Sequence, residues 1–144
     1  MAIWFDTFPI DVVREHSKNT LISQLGIEFL EASDEHLSAR MPVDARTRQP
    51  AGMLHGGASV VLAETLASWG ATFTVDREKN HCVGLEINAN HVRAVASGWI
   101  IGAARPVHLG RSTQIWEVRI TDEASRLVCI SRVTMAVLAT ANRY

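Results

Sequence analysis

The stretch at residues 54–65, LHGGASVVLAET, constrains this chain more than any other. Its apolar residues run on into the next turns, and a helix is expected from here to about residue 75. Val60, Val61, Leu62, Ala63, Leu66, Ala67 and Trp69 cover nearly the whole circumference of that helix. A helix apolar all round is buried on every side. Yet it carries Glu64 in its middle, and no Lys or Arg lies between positions 54 and 75. It also opens on His55-Gly56-Gly57, although glycine in a helix interior costs about 1 kcal/mol relative to alanine.

The segments around the helix say what buries it. Residues 9 to about 24 read as one helix, with Ile10, Val13 and Leu21 at helical spacing and Gly26 ending it. GIEFLEAS and HLSARMPVD read as two strands; in the second, Leu37, Ala39 and Met41 alternate with Ser38 and Arg40. ARTRQPAGM is a loop, broken by Pro50 and Gly52. After the long helix the period changes. CVGLEINANHVRAV, GWIIGAARPVHLG, STQIWEVRITD and RLVCISRVTMAVLA read as four strands separated by turn chemistry. Two strands, one long helix and four strands make an α+β pattern, a mostly antiparallel sheet with one helix against it. A sheet covers one side of a helix. The other side wants a partner, and a second copy of the chain supplies one most simply.

A carboxylate in a buried helix is costly unless it is paired, protonated or used. Glu64 either caps a neighbouring backbone amide, faces an arginine from elsewhere, or stands beside a bound ligand. Ser68 lies one turn on, on the same face, where it steers that carboxylate or a water, or simply permits close packing. The glycines fit the other half of a site. A helix N-terminus presents unpaired N–H groups and the positive end of the macrodipole, and a bare backbone lets an oxygen approach them. That arrangement polarises a carbonyl or holds an oxyanion; the same glycines also allow close helix packing. His55 is compatible with a structural hydrogen bond or with catalysis. Residues 55 and 64 are nine apart, hence ~13.5 Å apart on opposite faces of the helix. One carbonyl cannot meet both within one chain. If they form one site, that site lies between two copies of the helix packed antiparallel.

The totals exclude several classes. The chain has 144 residues, enough for one domain, 1–144, with a real core. Its formal net charge of −1 carries no footprint for nucleic acid or an anionic membrane surface. Cys82 and Cys129 are distant and outside any CxxC pattern, so both read as small buried hydrophobes of a reducing cytoplasm rather than a disulfide. MAIWFDTFPIDVV lacks the basic start of a signal peptide, and no apolar run approaches the ~18 residues that span a bilayer. The six histidines show no HExxH or comparable spacing, so no metal is expected.

RQPAGMLHGGASVVLAET, followed by GLEINANHVR and PVHLGRSTQIWEVRI, resembles the hotdog-fold acyl-CoA thioesterases, and among them the small bacterial aroyl-CoA thioesterases of menaquinone and enterobactin synthesis. The resemblance runs over nearly the whole chain. It implies a sheet wrapped around one long central helix, in dimers that pair into homotetramers with active sites between subunits. It implies hydrolysis of an acyl-CoA thioester, 1,4-dihydroxy-2-naphthoyl-CoA for example, to a carboxylic acid and CoA, with no cofactor. Carried over by motif position, Glu64 is the catalytic carboxylate, acting as general base or as nucleophile. Gly56 offers its amide to the thioester carbonyl. Gln49 and His55 position the carbonyl or the water, and Ser68 supports the water or the carboxylate. CoA contacts fall on Gly84, on His91, Val92, Arg93 and Ala94, and on His108, Leu109, Gly110, Arg111, Ser112 and Thr113. Arg93 and Arg111 are the phosphate partners, since a guanidinium forks onto phosphate oxygens, unless they are solvated strand-end charges. Ala51 stands where the nearest relatives are expected to carry phenylalanine, which widens the acyl pocket. The rival readings are a hotdog dehydratase or hydratase and a non-catalytic acyl-CoA-binding module. The former pairs histidine and carboxylate in different motifs, and the latter has no use for Glu64.

Overall fold

The long helix forms where the sequence places it. In a computed structural model describing residues 1–142, α3 spans Gly56–Phe73. Two short helices, α1 (Ile10–His16) and α2 (Leu21–Gln24), precede it, with strands β1 (Glu28–Ala32) and β2 (Leu37–Pro42). Strands β3 (Asn80–His91), β4 (Trp99–Leu109), β5 (Thr113–Asp122) and β6 (Leu127–Ala139) follow. The six strands form one sheet in the order β1-β2-β4-β5-β6-β3, and every pairing is antiparallel.

The expected single helix over residues 9–24 is in fact two. Ser17 folds its hydroxyl back onto the Val13 carbonyl at 2.7 Å, and Asn19 adopts a left-handed backbone with φ of 57°. Thr20 then caps α2: its Oγ1 accepts the Ile22 amide, and Ser23 Oγ accepts the Thr20 amide in return. Local side-chain bonds at these residues compete with helix continuation and win.

α3 is not buried on every side within one chain. Ala58, Leu62, Ala63, Leu66, Ala67 and Ala71 are buried against the sheet. Val61, Thr65, Ser68, Trp69 and Thr72 are only half-buried, and Glu64 is exposed. Trp116 fixes how closely helix and sheet approach. It is fully buried on β5, and a Cβ on Gly70 would lie 2.8 Å from its ring. Its indole N–H donates to Gln114 Oε1 at 2.9 Å, and Gln114 Nε2 donates to Thr74 Oγ1 at 2.9 Å, just past the helix end. The largest core side chain is therefore both packed and hydrogen-bonded.

The sheet leaves β3 at an edge, hydrogen-bonded to β6 on one side only. Among the described residues no helix is long and apolar enough to cross a membrane. Replacing Gly70 with valine forces the helix off Trp116. Overpacking of this kind costs about 1–3 kcal/mol, so the denaturant midpoint of Gly70→Val is expected to fall. An unchanged midpoint would show that Trp116 does not set the helix–sheet distance.

Candidate active site

The candidate residues gather in two places. Glu64 and Ser68, one turn apart on the uncovered face of α3, line a cleft of about 450 Å³. Leu21 and Ile22 of α2 form one wall, and Val61 and Trp69 of α3 continue it. β3 passes beside Glu64. A Cβ on Gly84 would come within 3.1 Å of Glu64 Oε1, so glycine at this exposed edge position leaves room for the carboxylate. The strand bulges between Gly84 and Glu86.

The second place is a cleft of about 470 Å³ at the N-terminus of α3, whose lining includes Gln49, Gly56, His91, Val92, Arg93 and Ala94. His55 is the N-cap, with Nδ1 accepting the Gly57 amide at 2.7 Å. An accepting Nδ1 leaves the ring proton on Nε2, a free donor at the mouth of the helix. The His91 imidazole occupies the space a side chain at Gly56 would need, its Nε2 being 2.9 Å from the missing Cβ. Gln49 Oε1 accepts the Ala51 amide, which leaves its side-chain NH₂ to donate elsewhere. Arg93 Nε reaches the Leu127 carbonyl at 3.3 Å and is otherwise exposed.

The loop that carries Gln49 and His55 is rigidly tied. Thr47 is buried and donates to the Pro42 carbonyl at 2.7 Å. His55 N–H donates to Thr47 O, and Leu54 N–H to Val95 O, both at 2.8 Å. At the start of the loop, Arg46 grips Asp44 through side-chain and backbone bonds. The Arg46 guanidinium is the main reason the Asp44 carboxyl titrates at about 2 rather than 3.8, with the Arg46 amide next.

The hairpin between β4 and β5 holds the remaining residues. Gly110 N–H donates to Thr113 O, and Ser112 O accepts the Val137 amide, both at 2.9 Å; His108, Leu109, Arg111 and Ser112 are exposed. Strand register tells which cleft this hairpin serves. Leu109 pairs with Gln114, Gln114 with Met135, and Met135 with Gly84. His91 instead pairs with Cys129. Met135 and Cys129 are six residues apart on β6, or ~20 Å along the strand. The hairpin therefore belongs to the Glu64–Gly84 end of the sheet, and the His91–Arg93 segment to the Gly56 end.

Within one chain, then, the carboxylate and the bare helix end stand apart, and the two clefts share no residue. Glu64, expected to be buried, is exposed because the sheet covers the opposite face of α3. Residues that the sequence did not single out also appear here. Leu21 and Ile22 wall the Glu64 cleft; the apolar spacing that runs across residues 9–24 does not mark α2 as a separate element. Ser59 lies buried beside Gly56; a hydroxyl one turn into an otherwise apolar face was its only signal. Both cysteines are free. Burial pushes the Cys82 thiol up to about 11 and raises that of Cys129, so neither presents a thiolate. Among the described residues no three His, Cys, Asp or Glu side chains converge as a metal site would require.

Comparison with known proteins decides the family. The profile of the thioesterase superfamily matches residues 51–129, more than half the chain. The chain belongs to the thioesterase superfamily. It is 46% identical to a proofreading thioesterase of Cronobacter turicensis, covering 94% of this chain and 98% of that one. It is 44% identical to the 1,4-dihydroxy-2-naphthoyl-CoA hydrolase of Escherichia coli, over 94% of this chain and 99% of the other. A crystallised mutant thioesterase of Pseudomonas aeruginosa superimposes with a TM-score of 0.94 at 46% identity, over 96% of this chain and 99% of that one. A thioesterase structure from Haemophilus influenzae also gives 0.94, at 41% identity and 99% of both chains. The sheet and helix described above are thus the hotdog fold of a thioesterase.

The geometry of the loop yields a pH prediction. Because the folded Asp44 carboxyl titrates at about 2, below 3.8, the Asp44–Arg46 grip adds stability above about pH 4, and this is lost as pH falls toward 2. Carboxyl-carbon NMR of Asp44 should show a midpoint near 2 that returns toward 3.8 in Arg46→Ala. An ordinary midpoint in the unaltered protein would mean that the loop is not clamped.

Proposed function

We propose that this thioesterase hydrolyses aroyl-CoA at sites formed between two copies of the chain, the whole of residues 1–144 acting as one catalytic domain in the cytoplasm. The observation that carries this reading is the separation of the two clefts on one chain, together with the free edge of β3. That edge is long, exposes Val83 and Leu85, and contains no proline and one charged residue, Glu86. Such an edge invites pairing with another strand. Antiparallel pairing with a second β3 in the register that sets Gly84 opposite the partner's His91 unites the two half-sites twice per dimer. Two such dimers pairing gives the tetramer the resemblance implies.

In the joined site each group has one task. The thioester carbonyl lies at the Gly56 amide, where the helix end stabilises negative charge on oxygen. The free donors of Gln49 and His55 orient the carbonyl or the water. Glu64, supported by Ser68, takes a proton from the attacking water, or attacks the carbonyl itself to give an anhydride that water opens. The products are the carboxylate and the CoA thiol. Gly84 and the hairpin from His108 to Thr113 receive the CoA from one side, and His91, Val92, Arg93 and Ala94 from the other, with Arg93 and Arg111 on its phosphates. The apolar wall of Leu21, Ile22, Val61 and Trp69 suits an aryl group. Ala51 is small and exposed, which leaves the loop side of the site open.

A thiol-release assay over aroyl-, phenylacetyl- and aliphatic acyl-CoA tests this. Aroyl-CoA is expected to have the highest kcat/KM, and Glu64→Gln to lower kcat by at least about 100-fold. Full activity in Glu64→Gln would remove the carboxylate from the mechanism. Equal rates across the panel would remove the aryl preference.

A further inference from the structure

One side chain in the Gly56 cleft has no structural employment. Ser59 is 1% exposed, it lines the cleft, and its hydroxyl has no hydrogen-bond partner among the described residues. A serine inside a helix ordinarily relieves this by bonding the carbonyl four residues back. Here that carbonyl, of His55, already accepts the amides of Ala58 at 3.0 Å and Ser59 at 3.3 Å. Buried polar groups are almost always paired, and leaving one unpaired is unfavourable. Alanine at this position would carry no such penalty. Ser59 also stands three residues from Gly56 on the same face, and helical side chains tilt toward the N-terminus. Its hydroxyl therefore leans toward the end of α3 at which the Gly56 amide points.

We propose that Ser59 is a further catalytic residue: its hydroxyl donates, beside the Gly56 amide, to the oxygen of the thioester carbonyl. The assignment rests on the thioesterase reading of this cleft. When water attacks the carbonyl carbon, the C=O π pair moves onto oxygen, and that oxyanion receives both donors. Glu64 takes the proton from the water. Collapse restores the C=O bond and breaks C–S, and the leaving sulfur takes the proton from Glu64. The hydroxyl bonds the oxyanion more strongly than the ground-state carbonyl, so its effect falls on kcat rather than KM.

The test compares unaltered protein with Ser59→Ala and Ser59→Cys, each as the purified oligomer, on benzoyl-CoA and on S-benzoyl pantetheine. Ser59→Ala is expected to lose about 100-fold in kcat, with KM little changed and the same factor on both substrates. Its ligand-free Tm should hold or rise, because an unpaired buried hydroxyl is removed. Ser59→Cys, of similar shape with a weak donor, should fall between, and provides the reading if the alanine variant fails to fold. An unchanged kcat overturns the proposal. So does a loss seen on benzoyl-CoA alone, which marks a contact to the nucleotide end, or a lowered Tm with normal kcat, which marks a structural hydroxyl. If the unaltered protein releases no thiol from either substrate, the aroyl reading of the site fails, and this proposal with it. If it is active and needs Glu64 but not Ser59, this proposal alone fails.

Discussion

Everything in this structure depends on α3 packing one of its faces, and only one, against the sheet. The close face mixes Leu62 and Leu66 with alanines, and Gly70 is seated on the Trp116 ring. That contact fixes the helix near the sheet and turns Val61, Glu64, Ser68 and Trp69 outward. The same packing aims the helix N-terminus at the end of β3, where His91 fills the space over Gly56. Core packing and site geometry are thus one arrangement. A larger residue at either glycine would disturb a contact on which the chemistry draws.

The second consequence concerns distance. The carboxylate sits beside Gly84 of β3 and the amide end of the helix beside His91, ~12 Å apart along α3. Nothing in a single chain closes that gap, since the sheet holds α3 along its length and the loop before it is clamped from Asp44 to His55. The unpaired edge of β3 offers a route that moves nothing: in the proposed dimer a second chain delivers the complementary half. On the proposed reading catalysis depends on assembly, and the Glu64 cleft takes part of its wall from a segment as remote as α2.

Much of the fold was legible in the sequence because its signals are strong. Period-two alternation marks the strands, as in IWEVRI, where Trp116, Val118 and Ile120 are all buried. The apolar run after LHGG marks the long helix. The break between α1 and α2 was not legible, since the apolar spacing continues across it while Asn19 and Thr20 act through their own backbone and side-chain bonds. The exposure of Glu64 is hidden in the sequence for a different reason. Apolar content shows that a face needs cover, not whether the same chain supplies it. The position of β3 at the sheet edge has no signature in sequence order either, because β6 reaches it from the far end of the chain. Ser59 looks in sequence like any small helix residue; only its surroundings reveal an unpaired hydroxyl.

The central claim is that each site takes Glu64 from one chain and Gly56 from the other. It is tested most directly by unfolding Glu64→Ala and Gly56→Val proteins together and refolding the mixture. Each variant alone should be inactive. Random pairing makes half the dimers mixed, each with one intact site of two, so the mixture should regain about a quarter of the unaltered activity. Mixed dimers that form, by mass spectrometry or tagged pull-down, and yet release no thiol would contradict the account.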